Sequence, residues 1–121
     1  MTTVTIPELP YVQQQTVYQG ATWRKQYRWL PGGTAQNFTG WVARMQIRRA
    51  PGDPTLLLAL TTANGGITLG VDGLITILAT DEQTATLPPR RLAYDLELES
   101  PAGEVTRFLM GSAAVSAEVT V

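Results

Sequence analysis

Three stretches of this chain alternate apolar and polar side chains with a period of two, and that alternation constrains the fold more than any other feature. In residues 22–29, Trp23, Lys25, Tyr27 and Trp29 share one side, and Thr22, Arg24, Gln26 and Arg28 share the other. In residues 41–48, Trp41, Ala43, Met45 and Ile47 oppose Val42, Arg44, Gln46 and Arg48. In residues 92–99, Tyr94, Leu96 and Leu98 oppose Asp95, Glu97 and Glu99. Successive side chains of a strand point to opposite faces, so each stretch reads as a strand with one covered and one solvated face. Thr55 to Thr61 is nearly all apolar and reads as a strand covered on both faces. Ile67-Thr68-Leu69 and Leu74-Ile75-Thr76-Ile77-Leu78 flank Gly70-Val71-Asp72-Gly73 as a hairpin. Val105 to Gly111 pairs back on the strand before it, and Ala113 to Val121 ends the chain as a last β segment.

Turn residues punctuate these runs at Pro31-Gly32-Gly33, Pro51-Gly52-Asp53-Pro54, Asn64-Gly65-Gly66 and Ser100-Pro101-Ala102-Gly103. Thr80 with Gln83 three residues on fits a capping box, and acids fill the first turn behind it. A short helix near residues 81–87 follows, ended by Pro88-Pro89. Residues 1–15 contain Pro7 and Pro10, which exclude a helix, and end in Gln13-Gln14-Gln15. They read as an extended N-terminal arm, loose or laid against a neighbour. Residues 16–121 form the domain, of a length that fits a single core. The expected fold is all-β: an antiparallel, immunoglobulin-like sandwich of about seven strands with one short helix. Tyr94, placed after that helix and two residues before the inward Leu96, matches the layout of a tyrosine corner.

The chain has no histidine and no cysteine, which removes common tools of catalysis and metal binding and any disulfide framework. Ser100, Ser112 and Ser116 have no histidine to act as base, and Lys25 is the single lysine. Asp95, Glu97 and Glu99 lie alternately on one strand, about 6.5–7 Å apart, too far for adjacent side chains to chelate one ion unaided. The expectation is a protein that is not an enzyme and holds no cofactor and no metal. Residues 21–50 carry Arg24, Lys25, Arg28, Arg44, Arg48 and Arg49 with no acid, whereas residues 51–121 carry most of the acids. Cross-strand pairing of Arg44 and Arg48 with Asp95, Glu97 and Glu99 accounts for this better than nucleic acid does, since the net charge is −1. Trp23, Trp29 and Trp41 could stack on bases or sugars, but a shared inward face makes core packing the simpler role. No apolar run approaches the ~20 residues of a membrane helix. Met1 to Pro7 has neither the basic nor the apolar region of a secretion signal.

The runs Val17-Tyr18-Gln19-Gly20-Ala21-Thr22, Thr39-Gly40-Trp41-Val42-Ala43-Arg44-Met45-Gln46-Ile47-Arg48, Gly66-Ile67-Thr68-Leu69, Tyr94-Asp95-Leu96-Glu97-Leu98 and Ser100-Pro101-Ala102-Gly103-Glu104-Val105-Thr106-Arg107 resemble small structural proteins of tailed bacteriophages and prophages. Leu109-Met110-Gly111 and Val115-Ser116-Ala117-Glu118-Val119-Thr120 fit the same pattern. More loosely, the chain is similar to the N-terminal anchoring sandwich of some phage baseplate and fibre proteins. The likeness covers about residues 16–121 and consists mostly of strands and turns. It implies a virion part, an adaptor or attachment module in the tail, neck or baseplate. A capsid decoration protein is the alternative, and a carbohydrate-binding module a more remote one.

The implied partners are other virion proteins (tail, neck, baseplate, fibre or capsid subunits) and further copies of the chain as a homo-oligomer, with no nucleic acid and no membrane. The implied location is the virion, after synthesis in the host bacterial cytoplasm. Edge strands and an arm make main-chain contacts with neighbours. The candidate contact residues are Val4, Ile6 and Tyr11 in the arm, and Tyr18, Arg24 and Arg28 around the aromatic-rich segment. On this expectation, deleting residues 1–15 leaves the fold intact and removes incorporation into particles.

Overall fold

The computed structural model describes residues 3–6 and 8–120. Met1, Thr2 and Pro7 of the expected arm and Val121 of the last segment lie outside the described residues. In chain order the strands are β1 (Thr3–Ile6), β2 (Tyr11–Val12), β3 (Gln15–Tyr18), β4 (Trp23–Trp29), β5 (Val42–Arg48), β6 (Leu58–Thr61), β7 (Ile67–Leu69), β8 (Leu74–Ala79), β9 (Arg91–Glu99) and β10 (Val105–Ser116). One helix, α1 (Asp81–Ala85), sits between β8 and β9. The first sheet has the order β1-β4-β8-β7, and the second the order β2-β10-β9-β5-β6, with β3 also on β10. The fold is an all-β sandwich.

The alternation read from the sequence sets which side chains fill the space between the sheets. Ala43, Met45 and Ile47 of β5 and Leu92, Tyr94, Leu96 and Leu98 of β9 are buried. They meet Trp23 and Tyr27 of β4 and Ile75, Ile77 and Ala79 of β8 in one core cluster. Each fully buried Leu, Ile or Phe contributes about 1.5–3 kcal/mol relative to an exposed one, so this layer is the main favourable term. The capping box forms as expected. Thr80 Oγ1 accepts from the Gln83 amide at 3.1 Å, and Gln83 Oε1 accepts from the Thr80 amide at 2.8 Å. The helix then holds Thr84 and Leu87 against the body, where the Thr84 hydroxyl donates to the Ala21 carbonyl at 2.8 Å.

Two strands differ from the sequence expectation for a physical reason. The last segments form one continuous strand, β10, with a register shift between Arg107 and Leu109. The extra residue, Phe108, turns inward together with Leu109, and both are fully buried. Such a bulge breaks the period of two inside Val105–Gly111, whereas the expected break between Gly111 and Ala113 is bridged by continuous pairing of Gly111, Ser112 and Ala113 with Tyr94, Ala93 and Leu92, and the strand ends at Ser116. The third apolar run pairs over Leu58–Thr61 only; Leu56 is 44% exposed, and Leu57 extends the ladder through its amide to the Ile47 carbonyl at 2.9 Å.

The pairing of the body is antiparallel, whereas the N-terminal strands join in parallel: β1 on β4, and β2 and β3 on β10. One segment thus leaves the edge of the first sheet after Ile6 and continues along the edge of the second from Tyr11. Ile6 is fully buried and Gln15 is 2% exposed, so residues read as a separable arm contribute to the core. Between β2 and β3, Gln13 dips beneath Gly111, and its amide donates to the Met110 carbonyl at 3.0 Å. Gly111 has φ +151° and faces inward opposite Tyr94; a Cβ there would collide with the Gln13 carbonyl oxygen. Gly111→Ala is therefore expected to lower unfolding stability by about 2 kcal/mol or more. A urea titration that finds the variant as stable as the parent would show that the segment does not pass this close.

Candidate functional site

The N-terminal segment is fastened by a buried polar cluster. Strand β3 alternates like the others, so Gln15 and Val17 point inward while Thr16 and Tyr18 point outward. An amide in a core costs stability unless its groups are hydrogen-bonded. Gln15 Nε2 donates to the Tyr27 hydroxyl at 2.7 Å and lies 3.2 Å from both the Tyr94 hydroxyl and Gln13 Oε1. The Tyr27 hydroxyl donates to Gln13 Oε1 at 2.7 Å, and the Tyr94 hydroxyl to the Gln13 carbonyl at 2.7 Å. Tyr27 belongs to the first sheet and Tyr94 to the second, so the cluster ties both sheets to the segment between them. Tyr94 thus anchors a distant stretch of chain, not the corner just before its own strand.

Burial raises both tyrosines above the usual phenol range, Tyr27 to about 12, against the lowering effect of the Gln15 hydrogen bond. The sign follows from the neutral phenol being the form that the fold favours. The contribution is complete below the unfolded pKa near 10 and is lost as pH rises toward 12, on the order of 3 kcal/mol for Tyr27. Tyr27→Phe is expected to cost about 1–3 kcal/mol at neutral pH by removing the shortest side-chain hydrogen bond of each of the two glutamines, and to flatten the loss of stability above pH 10. Denaturant midpoints across that pH range check both; an unaltered alkaline limb would remove Tyr27 from this role.

The six candidate contact residues fall in different places. Val4 is half-buried beside Tyr27, Ile6 is fully buried, and Tyr11 is half-buried beside Leu109. All three pack on this chain's own core. Tyr18 is 62% exposed on β3, and Arg24 is exposed on the outer face of the first sheet. Arg28, on the same face as Arg24, pairs with Asp72 at 3.1 Å. Val12 is 68% exposed at the same sheet edge as Tyr18, a position that the sequence does not signal, because a two-residue strand beside three glutamines shows no periodicity. Among the described residues, no strand pairs with the far edge of β1 or of β3, which leaves backbone groups able to accept another strand.

The tryptophans are packing groups. Trp29 stacks on Phe38 and meets Trp41 and Phe108 edge to face, with ring centroids 6.1–6.2 Å apart, and Trp23 is 6% exposed. The charges instead gather on the outer face of the second sheet. Arg44 bonds Glu97 at 3.0 Å and Glu99 at 3.1 Å, the pairing that the alternation implied. Arg48, expected to face the same acids, donates to the Asp53 carbonyl and to Gln46 Oε1, both at 2.9 Å. Beside it an open groove of about 300 Å³ runs between Gln46, Arg48 and Asp95 on one side and Arg107 and Met110 on the other, walled by Pro51 and Gly52.

Burial and, after it, the Glu97 charge raise the Asp95 carboxyl above its ordinary value, opposed by Arg107, Arg48 and Arg44. Its favourable contribution is present below the ordinary carboxylate range and is lost as pH rises through that range. Asp95→Asn is accordingly expected to gain in melting temperature relative to the parent as pH goes from about 3 to about 7. A constant difference across that range would mean that the surroundings do not oppose the Asp95 charge.

Among the described residues, no three acids converge on one point as metal ligands, and no helix is long and apolar enough to cross a membrane. What the surface offers is edges, exposed apolar side chains and arranged charges, the means of protein–protein contact. No protein-family model matches the chain, and no curated protein matches it. Among solved structures, it is similar to the N-terminal domain of phage TP901-1 ORF48 over 94% of this chain and 94% of that one, with a TM-score of 0.58 and 10% sequence identity. At that identity the likeness is one of fold.

Proposed function

We propose that this chain is a non-enzymatic structural module of a tailed-phage virion, an adaptor or attachment piece in the tail, neck or baseplate that contacts other virion proteins. The observation that carries the proposal is the likeness in fold, along nearly the whole of both chains, to the N-terminal domain of a phage protein. The absence of histidine and cysteine from the sequence and the exposed sheet edges accord with it. In a symmetric particle each copy repeats the same weak contacts, so modest edges suffice to hold a module in place.

The contact residues that this function uses are Val12 on β2 and Tyr18 on β3 at the edge of the second sheet, with Arg24 and Arg28 on the outer face of the first; Tyr11 seats β2, and Val4 and Ile6 seat β1. The decisive experiment is mass spectrometry of purified particles separated into heads and tails. Several copies per particle in the tail fraction are expected. Recovery with heads would make the chain a decoration protein, and absence from both would overturn the virion assignment. In the same particles, Tyr18→Asp combined with Val12→Asp is expected to leave the melting temperature unchanged and to lower incorporation by about tenfold or more, as for loss of a buried anchor. Full incorporation would move the contact away from this edge.

A further inference from the structure

We propose that the outer face of the second sheet is a self-complementary docking surface for a second copy of this chain. Its charge is divided along the strands. Arg48 ends β5 and Arg91 begins β9, and the antiparallel register brings these ends together, with Arg49 and Arg90 beside them and Asp53 as the nearby acid. Arg49, Arg90 and Arg91 are exposed, and among the described residues none of the four arginines makes an ion pair. The opposite end holds Glu97, Glu99 and the exposed Glu104, which makes no ion pair among the described residues, with Arg44 and Arg107 as the nearby bases. Asp95 lies between the two ends, 3.8 Å from Arg107, which stands opposite Glu97 in the register.

A two-fold axis lying in the plane of this face, across the strands, reverses strand direction. It sets the basic end of each copy on the acidic end of the other, and the same contact occurs twice. Parallel stacking would oppose like charges at both ends. Across the middle of the face run Ala59, Gln46, Asp95 and Met110, and the small side chains of Ala93 and Ser112 stand beside Arg48 at the basic end. The face is five strands wide and nine residues long on β9. At spacings of about 4.8 Å and 3.3 Å, and with β2 and β6 much shorter than β9, it covers roughly 600 Å², of the same order as the ~800 Å² that each partner of a specific complex buries. The inference goes beyond virion assignment and does not depend on it, because it concerns the isolated chain.

Sedimentation of the purified chain over micromolar to millimolar concentration is expected to show a monomer–dimer equilibrium. Its dissociation constant should rise about tenfold or more between roughly 0.05 and 0.5 M salt. A basic-end variant (Arg49→Glu, Arg90→Glu, Arg91→Glu) and an acidic-end variant (Glu99→Arg, Glu104→Arg) should each be monomeric, with melting curves reporting the fold. Glu104 makes no ion pair, so Glu104→Arg alone replaces the second variant if Glu99→Arg melts early. Mixed together, the two variants should form a heterodimer, since each now carries one sign of charge. A parent chain monomeric throughout, dimers persisting in both variants, or no heterodimer on mixing would each overturn the proposal.

Discussion

The cluster of Gln13, Gln15, Tyr27 and Tyr94 is the constraint on which the remaining architecture depends. It takes one phenol from each sheet and satisfies both through a single short stretch of chain. A buried polar network stabilises when complete and costs stability when any member is missing. The N-terminal segment therefore has one position in which its glutamines are satisfied. That position fixes the parallel registers of β1 on β4 and β3 on β10. It also explains why Gly111 stands at the crossing point, where only a residue without a side chain leaves room for the Gln13 backbone.

The charged outer face follows a different logic. Its ion pairs are partly exposed, and exposed pairs contribute about 0–1 kcal/mol each. They do little to hold the sandwich together, which the apolar layer of Leu, Ile and Phe side chains already does. Their arrangement matters more for what docks on the face: charges set approach and orientation more than raw affinity. Arg48 illustrates the point. It is held in place by neutral acceptors, so its charge is left available on the rim of a groove.

A sandwich of this kind hosts many functions, so fold by itself does not decide among them. What narrows the choice is the combination of a chain without histidine or cysteine, aromatic rings turned on one another, and edges left open for other strands. Of the tryptophans that could have formed a stacking platform, Trp29 and Trp41 are joined in an aromatic cluster with Phe38 and Phe108, and Trp23 is buried at the other end of β4, so their surface serves packing. The features that remain at the surface suit attachment.

The amino-acid order alone specifies the body of the fold. Period-two alternation in β4, β5 and β9, the glycine turns and the Thr80–Gln83 cap are local features, and each depends on a few adjacent residues whose physical preferences agree. It also determined the Arg44 ladder, because the faces of β5 and β9 follow from alternation alone. Where the N-terminal segment goes follows from contacts between residues far apart in the chain. Residues 3–6 and 11–18 contain short, polar, weakly periodic runs, and their placement rests on hydrogen bonds to Tyr27 and Tyr94, respectively 14 and 81 residues from Gln13. The bulge at Phe108 and the division of charge along the outer face were likewise invisible in one dimension. A bulge shows as a mere loss of period, and the charges gather only when antiparallel register brings Arg48 and Arg91 to the same end.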